Sequence, residues 1–453
     1  MVRKLPEKCP EAPANAFEAS GNWKRHTYEI SLITPLFGGG PVPGENDPVT
    51  LIRGASIRGN LRFWWRATRG ARFENIKDLR AREGEIWGTA SYPSLVTVNI
   101  NEVTKGRPEQ WATYKPDRKR GGVKSLPGPV NEYFKMYALF PFRGETKKIR
   151  GERKVIQQPS SVIRQASFKL ILKWPKNMDL LMDIKAAVWA WVNFGGLGAR
   201  TRRGCGALYC SELSPSSDNV DLLKNWYKRC LEKYSIEPPL KTRNWPTLPE
   251  PNKILIQTNN GGEMIKRSPL KAWAKTIEAL EKFRQKPGIG RRRKSDGKPG
   301  RSLWPEADSL RQLTGQSSPK HRHPTTTRNN AFPRAEFGLP IVFHFKDSHD
   351  PVDCKLLPPC DLKRMASPLI LKPLAVNPDQ AVSMILPLRT NLPGGVTVKY
   401  TNTNSNETNR HFGHDNVRSS HLAEYDSPLK FASSSGSALD AFLKYARSRE
   451  GFR

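Results

Sequence analysis

Gly195-Gly196-Leu197-Gly198-Ala199-Arg200-Thr201-Arg202-Arg203-Gly204-Cys205-Gly206 sets five glycines and three arginines directly behind an apolar helical run. Glycine lets a backbone come close to a ligand, and a guanidinium matches phosphate oxygens two at a time. The chemistry indicated is capture of a polyanion. The loop is no nucleoside-triphosphate cradle, because Cys205 stands where such a loop has its lysine. It is no dinucleotide fingerprint either: it follows a helix, which removes the helix N-terminus on which those motifs hold pyrophosphate. A clamp on a single-strand backbone fits the residues, and a plain turn with solvated arginines is the alternative.

A second basic cluster lies upstream. Arg53 and Arg58 flank Gly54-Ala55-Ser56, with Ser56 placed to cap a helix running to about Thr68. Peptide N–H groups at that end favour an anion. Ile57, Leu61, Trp64 and Thr68 fall on one face, while Arg58, Arg62, Arg66 and Arg69 recur on another, and no acidic residue occurs between Arg53 and Arg72. Arg53, Arg58 and Arg62 therefore extend a basic track from the glycine loop in one groove. Trp64 and Trp65 are core or subunit-interface anchors rather than base-stacking platforms, since tryptophan at helical spacing packs.

Other reactive constellations are sparse. His26 on a first strand is the one candidate general acid or base for RNA cleavage, and a structural histidine is the alternative. His349-Asp350 and His414-Asp415 lack further ligands at helical spacing, and His321 and His323 sit in a basic insertion, so no complete metal site and no cofactor are expected. Six cysteines without CxxC spacing argue against a disulfide framework or zinc knuckle.

The charge balance agrees with a polyanionic partner: 75 Lys and Arg against 42 Asp and Glu leave +33 on the chain. Phosphates release counterions to such a surface, and a merely solubilising charge is the alternative. No apolar run is long enough to span a bilayer, and Met1 to Ala19 lacks a signal-peptide core, which points to a soluble cytoplasmic protein with no membrane partner.

These residues need elements to position them. Lys24 to Thr34 alternates as a strand; the helix from Ser56 follows; Leu95 to Ile100 and Ser161 to Lys173 read as strands; Met178 to Phe194 is a buried helix closed by Gly195 in a left-handed cap; Ala207 to Cys210 is a short strand. The order strand, helix, strand, strand, helix, strand is the ferredoxin-like plan. The fold class expected is α+β, two tandem ferredoxin-like (RRM-like) domains with long basic insertions. The boundaries are a flexible N-terminus (1–22), an N-terminal domain (23–212), a connector (213–251) with a helix at Val220 to Tyr234, and a C-terminal domain (252–453). The first insertion, Lys115 to Lys154, is expected to be mobile when free, and the second, 287–333, to lack regular structure. In the second half Lys253 to Gln257, Gly338 to Phe345, Met365 to Ala375 and Ala381 to Arg389 are strands and Ser268 to Phe283 and Ser437 to Arg447 helices, a looser copy of the same plan.

Three blocks carry a family resemblance: Leu36-Phe37-Gly38-Gly39, Ile52-Arg53-Gly54-Ala55-Ser56-Ile57-Arg58-Gly59-Asn60-Leu61-Arg62-Phe63-Trp64-Trp65-Arg66, and the glycine loop. Together they resemble the RAMP proteins of CRISPR systems, and more narrowly the first subunit of the Cmr module of type III-B effector complexes. Arg334 to Phe345 and Arg364 to Pro373 are similar to that subunit's C-terminal motifs. The resemblance implies a non-catalytic subunit at the head of the complex, holding the 3′ part of the guide RNA and meeting target RNA, the sister head RAMP subunit and the backbone RAMP subunit in antiviral defence. The RNA-binding set is then Arg53, Ser56, Arg58, Arg62, Gly195, Gly196, Gly198, Arg200, Arg202 and Arg203. Cys205 departs from the pattern, where an aromatic is expected. The rival is a metal-independent RAMP endoribonuclease that processes guide precursors with His26.

Overall fold

A computed structural model describes residues 22–40, 44–47, 49–119, 121–239, 241–297, 299–324, 330–345, 347–359, 362–401, 406–417, 428–432 and 437–453. The N-terminus assigned as flexible lies, residue 22 apart, outside the described residues, as do Arg120 and Lys298 of the basic runs. The fold mixes helix and sheet.

In the first half, β1 (Trp23–Leu32) leads to α1 (Gly54–Ala67), β2 (Thr97–Thr104), β3 (Ser167–Pro175), α2 (Leu181–Phe194) and β4 (Leu208–Tyr209). The antiparallel sheet has the spatial order β4-β1-β3-β2. The β1–β3 register sets Tyr28 beside Leu170 and Ile30 beside Phe168, so the period-two alternation puts these four side chains on one face, where all are buried. Both helices cover that face. Ile57, Leu61, Trp64 and Trp65 turn α1 inward, and nearly every side chain of α2 is buried because the second half packs on its far side.

Trp64 and Trp65 are core anchors, 3% and 0% exposed. The Trp65 indole donates to Asp183 Oδ1 at 2.7 Å, and Arg69 and Arg82 approach the same carboxylate at 3.6 Å. Trp65→Phe keeps an aromatic ring but removes the shortest hydrogen bond to the buried Asp183 carboxylate, leaving it Arg69 and Arg82 at 3.6 Å. It is expected to lower unfolding free energy by about 1–3 kcal/mol, measurable in a denaturant titration.

In the second half, β5 (Leu255–Ile256), α3 (Pro269–Gln285), β6 (Leu369–Ala375), β7 (Ala381–Pro387) and α4 (Ala438–Arg449) follow one another. β7 lies between β5 and β6. On the free side of β5, Ile256 exchanges two backbone hydrogen bonds of 2.9 Å with Arg453, and Gln257 bridges to Phe452. The tripeptide Gly451-Phe452-Arg453 thus lies where β4 lies in the first sheet.

Several expectations change. Ser56 does not cap α1; Arg53 occupies that position without a side-chain cap, and Ser56 sits inside the first turn. Gly195 is not left-handed (φ −96°); glycine is required there because a Cβ would lie 2.5 Å from Trp64 Nε1 and 2.6 Å from Trp191 O. The strand expected over Ser161 to Lys173 breaks at Gln165, whose φ of +59° turns the chain, so that Ser161–Arg164 pairs with Arg107–Gln110 instead. The connector is part of the first core: its helix Val220–Lys233 sets Tyr227 5.8 Å from the Trp189 ring.

Both insertions contain regular structure. Glu145–Ile149 and Glu152–Gln157 form a two-stranded ribbon, Arg291–Arg293 pairs with Pro299–Ser302, and Glu306–Thr314 is a helix. Gly338 to Phe345 does not join the second sheet. Its Ile341–Phe343 opens a separate antiparallel sheet with Cys354–Leu357, Gly395–Thr401 and Glu407–Gly413, which has its own core around Leu356, Val396 and Val398. Ionic links replace turn chemistry in these segments, which is why low-hydropathy stretches still order: buried Glu306 pairs with Arg334, and Asp350 with Arg311.

Candidate RNA-binding cleft

The glycine loop is pinned from several directions. Ala199 N–H donates to Phe37 O (2.7 Å), Gly206 N–H to Pro35 O (2.8 Å), and Thr34 Oγ1 to Gly204 O (2.7 Å). Gly38 to Gly40 and Gly198 consequently share a cavity of about 200 Å³ with Arg53, Ser56 and Asn60 at the α1 N-terminus. Arg58 lines an adjoining hollow of about 390 Å³ with Gly54, Ala55 and Thr97. No acidic side chain occupies the first turn of α1, so its outward N–H groups face this space.

Arg200, Arg202 and Arg203 do not join that groove. Arg200 is left-handed (φ +61°), and the single tight turn Thr201–Arg203 behind it swings the guanidiniums towards the second half. They line a cavity of about 710 Å³ whose walls include Arg284 and Glu281 of α3, Tyr137 and Phe140 of the first insertion, and Met365. The one groove expected from the sequence is therefore two concave surfaces, on either side of the loop.

The three arginines donate to main-chain oxygens rather than carboxylates. Arg200 Nε reaches Ala138 O at 2.9 Å, Arg203 Nη1 reaches Leu369 O at 2.9 Å, and Arg202 Nη1 bonds Ser367 O. Burial pushes Arg202 and Arg203 down to about 10, and for Arg203 the guanidiniums of Arg200, Arg284 and Arg202 act in the same direction. Arg202 and Arg203 therefore remain cationic at neutral pH, and burial lowers Arg200 in the same direction. Four guanidiniums crowded beside the single carboxylate Glu281, without an ion pair among the described residues, cost free energy that an incoming phosphate recovers.

Arg62 is withdrawn from the track. Its Nε pairs with Glu83 at 2.7 Å, as does Arg66 Nη1 at 2.6 Å; Glu83 comes from the helix Ile76–Trp87. The helix face without local acids is neutralised by acids distant in sequence, Glu83 and Asp183. Arg284, Tyr137 and Phe140 were not found by motif reading, because nothing local marks them; only packing brings them to the loop.

Two further placements matter for chemistry. The sheet face turned away from the helices carries Trp23, Arg25, Thr27, Glu29 and Ser31 on β1 and Lys169, Ile171 and Lys173 on β3; its one aromatic ring on these strands, the exposed Trp23, stands at the end of β1 remote from the loop. His26 pairs with Glu212 at 3.1 Å, six residues before the end of β1 at Leu32 and so roughly 20 Å from the loop end of that strand. His321, Asp347 and Asp350 do cluster, with ligand atoms within 4.8 Å of one another. The Asp350 carboxylate already accepts Arg311 Nε and Nη2 at 3.0 and 2.8 Å and Ser318 N–H at 3.0 Å, an ion-pair hub in which arginine fills the space of a cation.

Comparison with known proteins places these features. Residues 29–209 match the RAMP superfamily model, and within this region lie α1 and the glycine loop. The chain is 29% identical over 185 residues to "CRISPR system Cmr subunit Cmr1-2" of Pyrococcus furiosus, spanning 40% of this chain and 92% of that protein. It is 22% identical over 269 residues to "CRISPR system Cmr subunit Cmr1-1" of the same organism, spanning 51% and 70%. Among solved structures, apo Cmr1 from Pyrococcus furiosus superposes with a TM-score of 0.40 at 16% identity, over 82% of this chain and 89% of the other. A chain of the type III-B Cmr-beta complex bound to cognate target RNA gives 0.45 at 12%, over 81% and 95%. Residues 29–209, the stretch that holds α1 and the glycine loop, thus carry a RAMP-superfamily match, and the chain is similar in sequence to two Cmr1 subunits of CRISPR Cmr systems.

Proposed function

We propose that this chain is a non-catalytic RNA-holding subunit of a type III-B Cmr effector complex. It caps the head of the complex, contacts the 3′ part of the guide and the target RNA, and docks against the sister head RAMP subunit and the backbone RAMP subunit in the cytoplasm. The observation that carries the reading is the cleft between the two halves where Arg200, Arg202, Arg203 and Arg284 converge beside a single carboxylate, Glu281, with none of the four in an ion pair among the described residues. Both halves are taken as ferredoxin-like, since Gly451 to Arg453 stands beside β5 as β4 stands beside β1. Arg53, Ser56 and Arg58, at the N-terminus of α1, are assigned to the same strand of RNA on the other side of the loop. Among the described residues no helix is long and apolar enough to cross a membrane.

The rival reading, cleavage through His26, gains nothing from a histidine tied to Glu212 and remote from the loop. Incubating the chain with end-labelled single-stranded RNA across a salt series tests both: salt-sensitive binding with intact RNA is the expected result, and a 2′,3′-cyclic phosphate product that vanishes in His26→Ala would replace this reading with the other.

The ribbon of the first insertion offers a subsidiary contact. Its register sets Lys147 directly opposite Lys154, both exposed, a like-charge pair that costs stability and is tolerated where an anion is met. Lys154→Glu is expected to stabilise the ribbon by roughly 0.2–1 kcal/mol while weakening RNA binding and lowering its salt dependence, which anisotropy titrations would read.

A further inference from the structure

The glycine loop belongs to the first half by sequence, yet its shape is imposed by the second. Ser367 O and Leu369 O hold the guanidiniums of Arg202 and Arg203. Trp273 of α3 donates its indole N–H to Arg203 O at 2.5 Å, and Gly204 lies so close that a Cβ there would meet Trp273 Cδ1 at 2.5 Å. Lys372 of β6 reaches across the seam and donates Nζ to Gly195 O at 2.9 Å and Val192 O at 3.2 Å.

Lys372 is the unusual member of this set. It is fully buried (0% exposed), and its hydrogen bonds go to main-chain oxygens. A lysine in a core without a carboxylate is costly, so a leucine or methionine would serve packing better. Its two acceptors, however, are carbonyls at the C-terminal end of α2, which helical geometry leaves without partners inside the helix. One of them, Gly195 O, is the first carbonyl of the glycine loop.

We propose that Lys372 and Trp273 are positioning residues for RNA, locking the glycine loop so that Arg200, Arg202 and Arg203 converge on the cavity. The anion site is therefore assembled by both halves, and the first half alone does not possess it. This rests on the cleft being the RNA site. The loop glycines make such templating necessary: a chain that is free to approach a phosphate is equally free to fray, and the second half removes that freedom.

The full-length chain with Lys372→Met, which keeps length and removes the donor, tests the proposal through two readouts. Amide hydrogen exchange of residues 195–206 should rise at least about tenfold while the interior of α2 stays protected, a local opening rather than global unfolding. Binding of a fluorescent oligouridylate should weaken about tenfold, and the slope of log K against log salt should fall by up to about 2, at about 0.7 for each phosphate contact of a single strand. Lys372→Gln, which restores one donor, should recover part of both. Should Lys372→Met not fold, Trp273→Phe, which removes the indole N–H and narrows the buried ring system while keeping it aromatic, is read in the same way and decides. Unchanged loop exchange and unchanged slope in folded variants of an RNA-binding chain would overturn the positioning role and leave the proposed function standing. A wild-type chain whose affinity ignores salt would instead remove the RNA reading itself, and this proposal with it.

Discussion

Changing Arg200, Arg202 and Arg203 together to glutamate is expected to weaken single-stranded RNA binding at least about a hundredfold at low salt. Each arginine offers a charge-assisted hydrogen bond of about 1.5–3 kcal/mol, and reversal adds repulsion. The slope of log K against log salt should fall by about 2, three phosphate contacts at about 0.7 each. Because the three side chains also bond Ala138 O, Ser367 O and Leu369 O across the seam, the triple variant needs a companion that leaves those bonds in place. Arg284→Glu serves, since Arg284 lines the same cavity from α3. Folded Arg284→Glu with wild-type affinity and slope would show that the cleft is not where RNA sits. Crosslinking within a reconstituted complex gives the second reading of the same pair of variants.

The second large effect concerns pH. Burial lowers Lys372 from 10.5 to about 7 in the folded chain, whereas the unfolded chain keeps the ordinary value. Between these limits the unfolded state binds more protons, so stability rises as pH increases from about 7 to 10.5 and is flat in this respect on either side. At 1.36 kcal/mol per unit the rise is bounded at about 5 kcal/mol. The α2 carbonyls that Lys372 faces favour the charged form and reduce that figure. Lys372→Met should abolish this rise. At pH 9 it should be less stable than wild type by about 1–3 kcal/mol, because two helix-terminal carbonyls lose their donor; at pH 6 the gap should close or reverse, because wild type then carries a buried ammonium. Denaturant midpoints across pH 6 to 10 separate the cases, and parallel curves for the two proteins would show that Lys372 does not titrate in this range.

Much of the first half was legible because its signals are local. Alternation along Tyr28, Ile30 and Leu32 marks a strand, and the spacing of Ile57, Leu61 and Trp64 marks an inward helix face; both hold in the fold. The second half was less legible for a physical reason. Its first strand is two residues long, and its fourth position is filled by three, Gly451 to Arg453, too few to show any period. The insertions were misjudged because their order comes from ion pairs between distant residues, such as Glu306 with Arg334, and from ribbon pairing, neither of which composition displays.

Residue type and spacing by themselves determined the chemistry on offer: a net charge of +33, a glycine loop with three arginines, and a second basic cluster at a helix start. The destination of each charge was decided only by tertiary structure. Arg62 and Arg66 are spent on Glu83, while Arg200, Arg202 and Arg203 turn the other way and meet Arg284 across a seam held by Lys372 and Trp273. A guanidinium's partner is set by what lies within about 4 Å, and for these residues the partners that fix their direction, Glu83, Ala138 O, Ser367 O and Leu369 O, come from segments distant in sequence.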